Sequence, residues 1–130
     1  MAGEGEMERL LGAVRRYFDL MYDSNVSGFY QVFRPSAQLH GFQEGQMTMW
    51  TAEKFKEVIA GRPSPMSVKA PRQEEILLVD FASPTQAMVK VRVRINTVVF
   101  LDYLTYHRIN GAWLITSKAY HVEHRYPAAA

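Results

Sequence analysis

A chain of 130 residues has room for one domain, because a second hydrophobic core would need roughly another 100 residues. Hydrophobic residues make up 48% and charged residues 22%, a globular composition that excludes intrinsic disorder and fibrous repeats. The absence of cysteine excludes a disulfide framework, thiol catalysis and cysteine-ligated metal, and a net charge of +2 does not by itself indicate nucleic-acid binding.

The start of the chain carries acidic residues and lacks the apolar stretch of a signal peptide. No apolar run approaches the roughly 18 residues that a membrane span needs. We therefore expect a cytoplasmic protein without membrane association. We also expect one domain over residues 1–130, with loose tails at residues 1–5 and 126–130.

The first half of the chain has the spacing of helices with one small hairpin. Apolar residues three and four apart predict an amphipathic first helix, and an N-cap followed by apolar residues predicts a second. A Glu-Gly turn between two short segments predicts the hairpin. The predicted bounds are residues 6–23 and 51–61 for the helices, 29–33 for a helical turn, and 38–42 and 46–50 for the hairpin strands.

The second half of the chain changes to period-two alternation, which is typical of β-strands. Turn residues separate four segments, at residues 74–81, 86–95, 98–109 and 112–123. Helices followed by an antiparallel meander indicate an α+β fold.

Asn110-Gly111 sets the register of the last two strands, because this dipeptide is the strongest short-range signal for a two-residue hairpin turn. Uninterrupted alternation from that turn places Asp102 opposite Ala119. Asp102 and His121 then become diagonal neighbours on one face of the sheet. The rest of that face is apolar and would cover the first helix: Val89, Val91, Val93, Phe100, Leu104, Trp113 and Ile115.

Asp102 and His121 are the candidate catalytic pair. An apolar setting disfavours a charged carboxylate whereas a nearby imidazolium favours it, and such opposed effects suit general acid–base chemistry. In the alternative interpretation, Asp102 accepts hydrogen bonds from the backbone or from Tyr22, and His121 lies at the open end of the sheet.

Aromatic side chains with polar tips predict a ligand pocket. Tyr17 and Tyr22 lie on the first helix, His40 and Trp50 on the hairpin that should cover the mouth, and Tyr106 on the inner sheet face. In the alternative interpretation these aromatic residues belong to the core.

The opposite face of the sheet is basic with aromatic neighbours. It could contact RNA or an acidic partner, but a solvated face or a dimer interface is the simpler interpretation. The residues predicted to pair two copies of the chain are Lys90, Arg92, Tyr103, Thr105 and Lys118.

Three other kinds of site are not expected. Strand alternation separates His124 from His121 and Glu123, which disfavours a metal site. The glycines lack the pattern of a phosphate-binding loop, and no Gly-x-Ser-x-Gly elbow is present. We expect no cofactor and no metal.

Several segments resemble the nuclear transport factor 2-like superfamily, and within it the lumazine-binding and SnoaL-like group. The resemblance covers nearly the whole chain. It implies a cystatin-like cone, in which a curved antiparallel sheet wraps around the first helix and leaves a pocket at one end, and dimers that pair through the outer sheet face. The segments that carry it are residues 33–37 (FRPSA), 39–42 (LHGF), 100–104 (FLDYL) and 110–115 (NGAWLI), with Lys118 and His121 beyond.

Members of this superfamily include isomerases, dehydratases, cyclases, carrier-binding modules and proteins without an assigned role, so the fold does not fix the function. We expect binding of a small hydrophobic or aromatic molecule in the end pocket. One alternative is a cofactor-independent isomerase, dehydratase or cyclase in which Asp102 moves a proton and His121, His40 or Tyr22 stabilises the developing negative charge. The other is a pure association module, in which Tyr22, Phe42 and Trp50 fill the cone.

Overall fold

The predicted α+β fold is confirmed by the computed structural model, which describes residues 2–127, with side chains from Gly5 onward. Residues 128–130 of the predicted tail lie outside the described residues, and residues 2–5 belong to the first helix. The elements are α1 (Ala2–Asp23), a 3₁₀ helix (Val26–Gln31), β1 (Phe33–Gln43), β2 (Gln46–Thr51), α2 (Ala52–Gly61), β3 (Glu74–Ser83), β4 (Gln86–Ile95), β5 (Val98–Ile109) and β6 (Ala112–Arg125).

The six strands form one sheet in the order β2-β1-β6-β5-β4-β3. Strands β3 to β6 are a consecutive antiparallel meander, whereas β1 pairs with β6 in parallel and carries β2 as its hairpin partner. The apolar stripe of α1 and the inner face of the sheet share one buried core cluster. Among the described residues, no helix is long and apolar enough to span a bilayer.

The two predicted meander turns are confirmed. Asn110 and Gly111 both have positive φ, as a tight hairpin turn requires, and Asn96 has positive φ in the β4–β5 turn. Residues adjoining these turns pair as predicted, and Tyr106 lies opposite Ile115.

Beyond Tyr106 the predicted register is wrong, because β6 contains a β-bulge. Thr116 is an extra residue between the pairs Tyr106–Ile115 and Thr105–Ser117, and its hydroxyl lies 2.6 Å from His107 Nδ1. Asp102 therefore lies opposite Tyr120 rather than Ala119. A shift of one residue exchanges the two faces of a strand, so the side chains of residues 117–122 point the other way from the prediction, up to a second register shift at Glu123.

Glu6 fastens the start of α1 to the sheet. Its buried carboxylate accepts a hydrogen bond from the indole Nε1 of Trp113 at 3.0 Å and one from Arg9 at 2.8 Å. Arg108 on β5 adds an ion pair at 3.2 Å. One side chain of the first helix thus contacts β5 and β6, the two central strands of the sheet.

We expect Glu6→Ala to lower the free energy of unfolding by about 1–3 kcal/mol, because it leaves the buried Trp113 N–H without its acceptor. Chemical denaturation measures the difference. Glu8→Ala is the matched control, since Glu8 is exposed on the same helix. Equal losses in the two variants would show that the Glu6 contacts do not stabilise the fold.

Candidate ligand-binding site

The bulge in β6 turns Lys118 into the interior, beside Asp102 of β5. The Asp102 side chain is 1% exposed and that of Lys118 is 5% exposed. Lys118 Nζ lies 3.7 Å from Asp102 Oδ2, and the Tyr17 hydroxyl of α1 donates a hydrogen bond of 2.5 Å to the same oxygen. The other carboxylate oxygen, Oδ1, is buried without a hydrogen-bond partner in the part of the chain that the structure describes.

Burial governs the protonation of both partners of Asp102. It raises the pKa of Tyr17 well above its usual value, and the negative charge of Asp102 raises it further, so the hydroxyl keeps its proton. Burial lowers the pKa of Lys118; Asp102 acts in the opposite direction, and Arg62 adds to the lowering. Lys118 therefore depends on Asp102 for its charge.

A pocket of about 50 Å³ opens next to Lys118. It lies at the end of the sheet that carries the β4–β5 turn, since Ile95 ends β4 and Phe100 is near the start of β5. Trp50 stacks on Phe55 in its wall, with 5.9 Å between the ring centroids. We call it the end pocket; it is lined by Leu39, Gln43, Trp50, Phe55, Arg62, Ile95, Phe100, Lys118 and Tyr120.

Gly41 of β1 holds one wall of the end pocket in place. The ring of Tyr120 lies directly on this glycine, where any Cβ atom would collide with the ring. Gln43 Nε2 donates a hydrogen bond of 3.1 Å to the Tyr120 hydroxyl. The ring is therefore held against β1, where it forms part of the pocket lining.

Arg62 contributes a second cation to the end pocket. The chain leaves α2 at Gly61, and Arg62 has an extended backbone. Its guanidinium nitrogens Nε and Nη2 are buried without a hydrogen-bond partner among residues 5–127. The guanidinium carbon lies 6.0 Å from the centroid of the Phe55 ring, and burial lowers the pKa of this arginine.

The predicted approach of His121 to Asp102 is wrong. His121 lies opposite Leu101 and is exposed on the outer face, because the bulge reverses the faces of β6. Lys118 takes the place beside Asp102. The sequence contains a signal only after the bulge, where the apolar residues Tyr120 and Val122 occupy even positions on either side of a polar residue; before it, residues 112–115 are all apolar.

Of the five residues predicted to line the pocket, Trp50 does so. Tyr17 and Tyr106 are instead fully buried core residues. The predicted pocket positions of Tyr22 and His40 are wrong. Tyr22 donates a hydrogen bond of 3.1 Å to the carbonyl of Ala70 in the loop before β3. His40 is exposed, because strand alternation directs its side chain to the face opposite that of Leu39, which lines the pocket.

Four of the five residues predicted to form a dimer interface lie on the outer sheet face. Arg92 there makes ion pairs with Glu123 and Glu75 of the same chain. Lys118 is the exception, and its predicted outward position is wrong because of the bulge. The homodimer stays a prediction for the residues on the outer face: Lys90, Arg92, Tyr103 and Thr105.

Helices packed on a curved six-stranded sheet, with a pocket at one end of the cone, are typical of the NTF2-like class. Residues 6–121 match a family described as "Putative lumazine-binding", and the chain belongs to that family. The resemblance inferred from the sequence is thereby confirmed. No curated protein matches the chain.

Solved structures show the same fold at low sequence identity. An NTF2-like protein of unknown function from Silicibacter pomeroyi is 21% identical, with a TM-score of 0.81 over 95% of this chain and 100% of that chain. One from Shewanella baltica is 19% identical, with a TM-score of 0.80 over 92% and 95%. A ketosteroid isomerase-like protein from Erwinia carotovora atroseptica is 11% identical, with a TM-score of 0.72 over 93% and 98%.

Proposed function

We propose that this protein binds a small, flat, aromatic or apolar molecule in the end pocket. The observation that carries the proposal is the composition of the pocket wall, in which four aromatic rings surround two cationic side chains. Ligand sites in proteins combine apolar and aromatic walls with a few polar groups that orient the ligand. The rings come from four different elements: Trp50, Phe55, Phe100 and Tyr120.

The size of the pocket indicates how a ligand enters. A volume of about 50 Å³ is well below the roughly 300–1,000 Å³ of a typical ligand site. Trp50 lies on the edge strand β2, which pairs only with β1, and its side chain is half-buried. In the proposed mode of binding, the Trp50 ring rotates outward and then packs against the ligand.

Binding has more support from the geometry than acid–base catalysis by Asp102. Asp102 is not among the described residues that line the end pocket. Its ion-pair partner Lys118 lies between Asp102 and the pocket. One Asp102 oxygen is already shared by Tyr17 and Lys118. A general base must reach the proton that it removes, directly or through one water.

We expect benzamide and indole, two flat probes, to shift the indole N–H resonance of Trp50 and leave that of Trp113 in place. These are the two tryptophans of the chain, and Trp113 is buried in the core away from the end pocket. Trp50→Ala should weaken binding of both probes by about tenfold or more, because stacking and wall area are lost; calorimetric titration measures this affinity, since the variant lacks the reporter resonance.

Phe42→Ala is the matched control, since Phe42 belongs to the same hairpin but is 62% exposed. It should bind both probes as the unchanged protein does. The proposal fails if neither probe moves the Trp50 resonance, or if Trp50→Ala binds them with unchanged affinity.

A further inference from the structure

The end pocket carries more positive than negative charge. Arg62 and Lys118 line it, and the pKa of Lys118 responds to both Arg62 and Asp102. Within the described part of the chain, the pocket lining contains no carboxylate, and Asp102 is the anion beside it. One carboxylate therefore faces two cations.

The buried tyrosines do not supply a second negative charge. The hydroxyl of Tyr17 is the donor to Asp102, and burial raises its pKa. Burial also raises the pKa of Tyr106. Both rings remain neutral at physiological pH, so one positive charge stays uncompensated.

The two unpaired nitrogen donors of Arg62 can form a bidentate pair of hydrogen bonds. Nε and Nη2 of Arg62 lie on one side of the planar guanidinium group, and both are buried without an acceptor in the described residues. Two such N–H groups match the two oxygens of a carboxylate. Lys118 Nζ is 3.7 Å from Asp102, longer than a hydrogen bond, so it keeps donors for the same ligand.

We infer that the ligand of the end pocket is an aromatic carboxylate, whose ring contacts Trp50 and Tyr120 and whose carboxylate pairs with Arg62. This inference rests on the proposed function and adds the chemical class of the ligand. A single uncompensated charge favours a monoanion over a phosphate dianion. The planar carboxylate also fits a narrow pocket between aromatic rings.

The test compares benzoate, benzamide and benzamidine, which share one shape and carry negative, neutral and positive charge at pH 7. Titrations follow the Trp50 indole N–H resonance. We expect benzoate to bind about tenfold or more tightly than benzamide, since hydrogen bonds to a charged group are the stronger ones. Benzamidine should bind more weakly than both.

Arg62→Gln should bring the ratio of benzoate to benzamide affinity close to one. Arg34→Gln, which removes an exposed arginine from β1, should leave the ratio unchanged. The ratio in the unchanged protein decides the question even if Arg62→Gln does not fold.

Equal binding of benzoate and benzamide would overturn the carboxylate assignment and leave the proposed function intact. Tighter binding of benzamidine, or of phenyl phosphate, than of benzoate would also overturn it. Failure of every probe, including benzamide and indole, would reject the proposed function itself, and the inference with it.

Discussion

Lys118→Met is expected to lower the free energy of unfolding by about 3–5 kcal/mol, the usual cost of breaking a buried ion pair from one side. Methionine fills most of the lysine volume, so the loss of stability measures the effect of removing the charge rather than a change in packing. The variant leaves Asp102, which is 1% exposed, with the Tyr17 hydroxyl as its remaining partner. Chemical denaturation of the unchanged protein and the variant measures the difference.

The double variant Lys118→Met with Asp102→Leu should regain most of this stability, because a buried ion pair can be replaced by apolar side chains at little net cost. Lys90→Met is the control, since Lys90 lies on the outer face of β4. If Lys118→Met costs no more than Lys90→Met, the interior ion pair does not exist in solution.

Tyr17→Phe is expected to destabilise the protein at pH 8 by about 1.5–3 kcal/mol, because the hydrogen bond to the charged Asp102 is lost. Above pH 10 this difference should shrink by about 1.4 kcal/mol per pH unit. The unfolded chain releases the Tyr17 proton near pH 10, whereas the folded chain, in which the pKa is raised, retains it. Rising pH therefore favours unfolding of the unchanged protein, and the phenylalanine variant lacks this contribution.

The variant Tyr106→Phe separates the effect of the lost hydrogen bond at pH 8 from the effect of the raised pKa above pH 10. Burial raises the pKa of Tyr106 as well, so above pH 10 this variant should gain stability relative to the unchanged protein by the same amount per pH unit. Its hydroxyl has no hydrogen-bond partner among the described residues, so the cost at pH 8 should be small. A stability difference between Tyr17→Phe and the unchanged protein that stays constant from pH 8 to pH 11 would contradict the assignment.

Local patterns were sufficient to predict most of the fold. The helical spacing of α1 and the Asn-Gly turn at Asn110 depend on neighbouring residues, and both are confirmed. The parallel pairing of β1 with β6 joins segments that are distant in the chain, and no local signal indicates it. The cone-shaped fold was therefore predicted from the resemblance of whole segments to a known family, and not from local patterns.

The composition of the site could be predicted less well, because it depends on one extra residue in β6. Trp50 was found from its position on the hairpin. The predicted outward position of Lys118 is wrong, since the prediction carried regular alternation through the bulge at Thr116. Arg62 comes directly after a helix, where alternation and helical spacing say nothing about the direction of a side chain.

Hydrogen bonds hold the first helix in place at three positions along its length. Glu6 is held by Trp113, Tyr17 by Asp102, and Tyr22 by the carbonyl of Ala70. The hairpin strand β2, by contrast, hydrogen-bonds to the sheet along one side only. In the proposed mode of binding, we therefore expect widening of the end pocket to displace the edge strand β2 rather than α1.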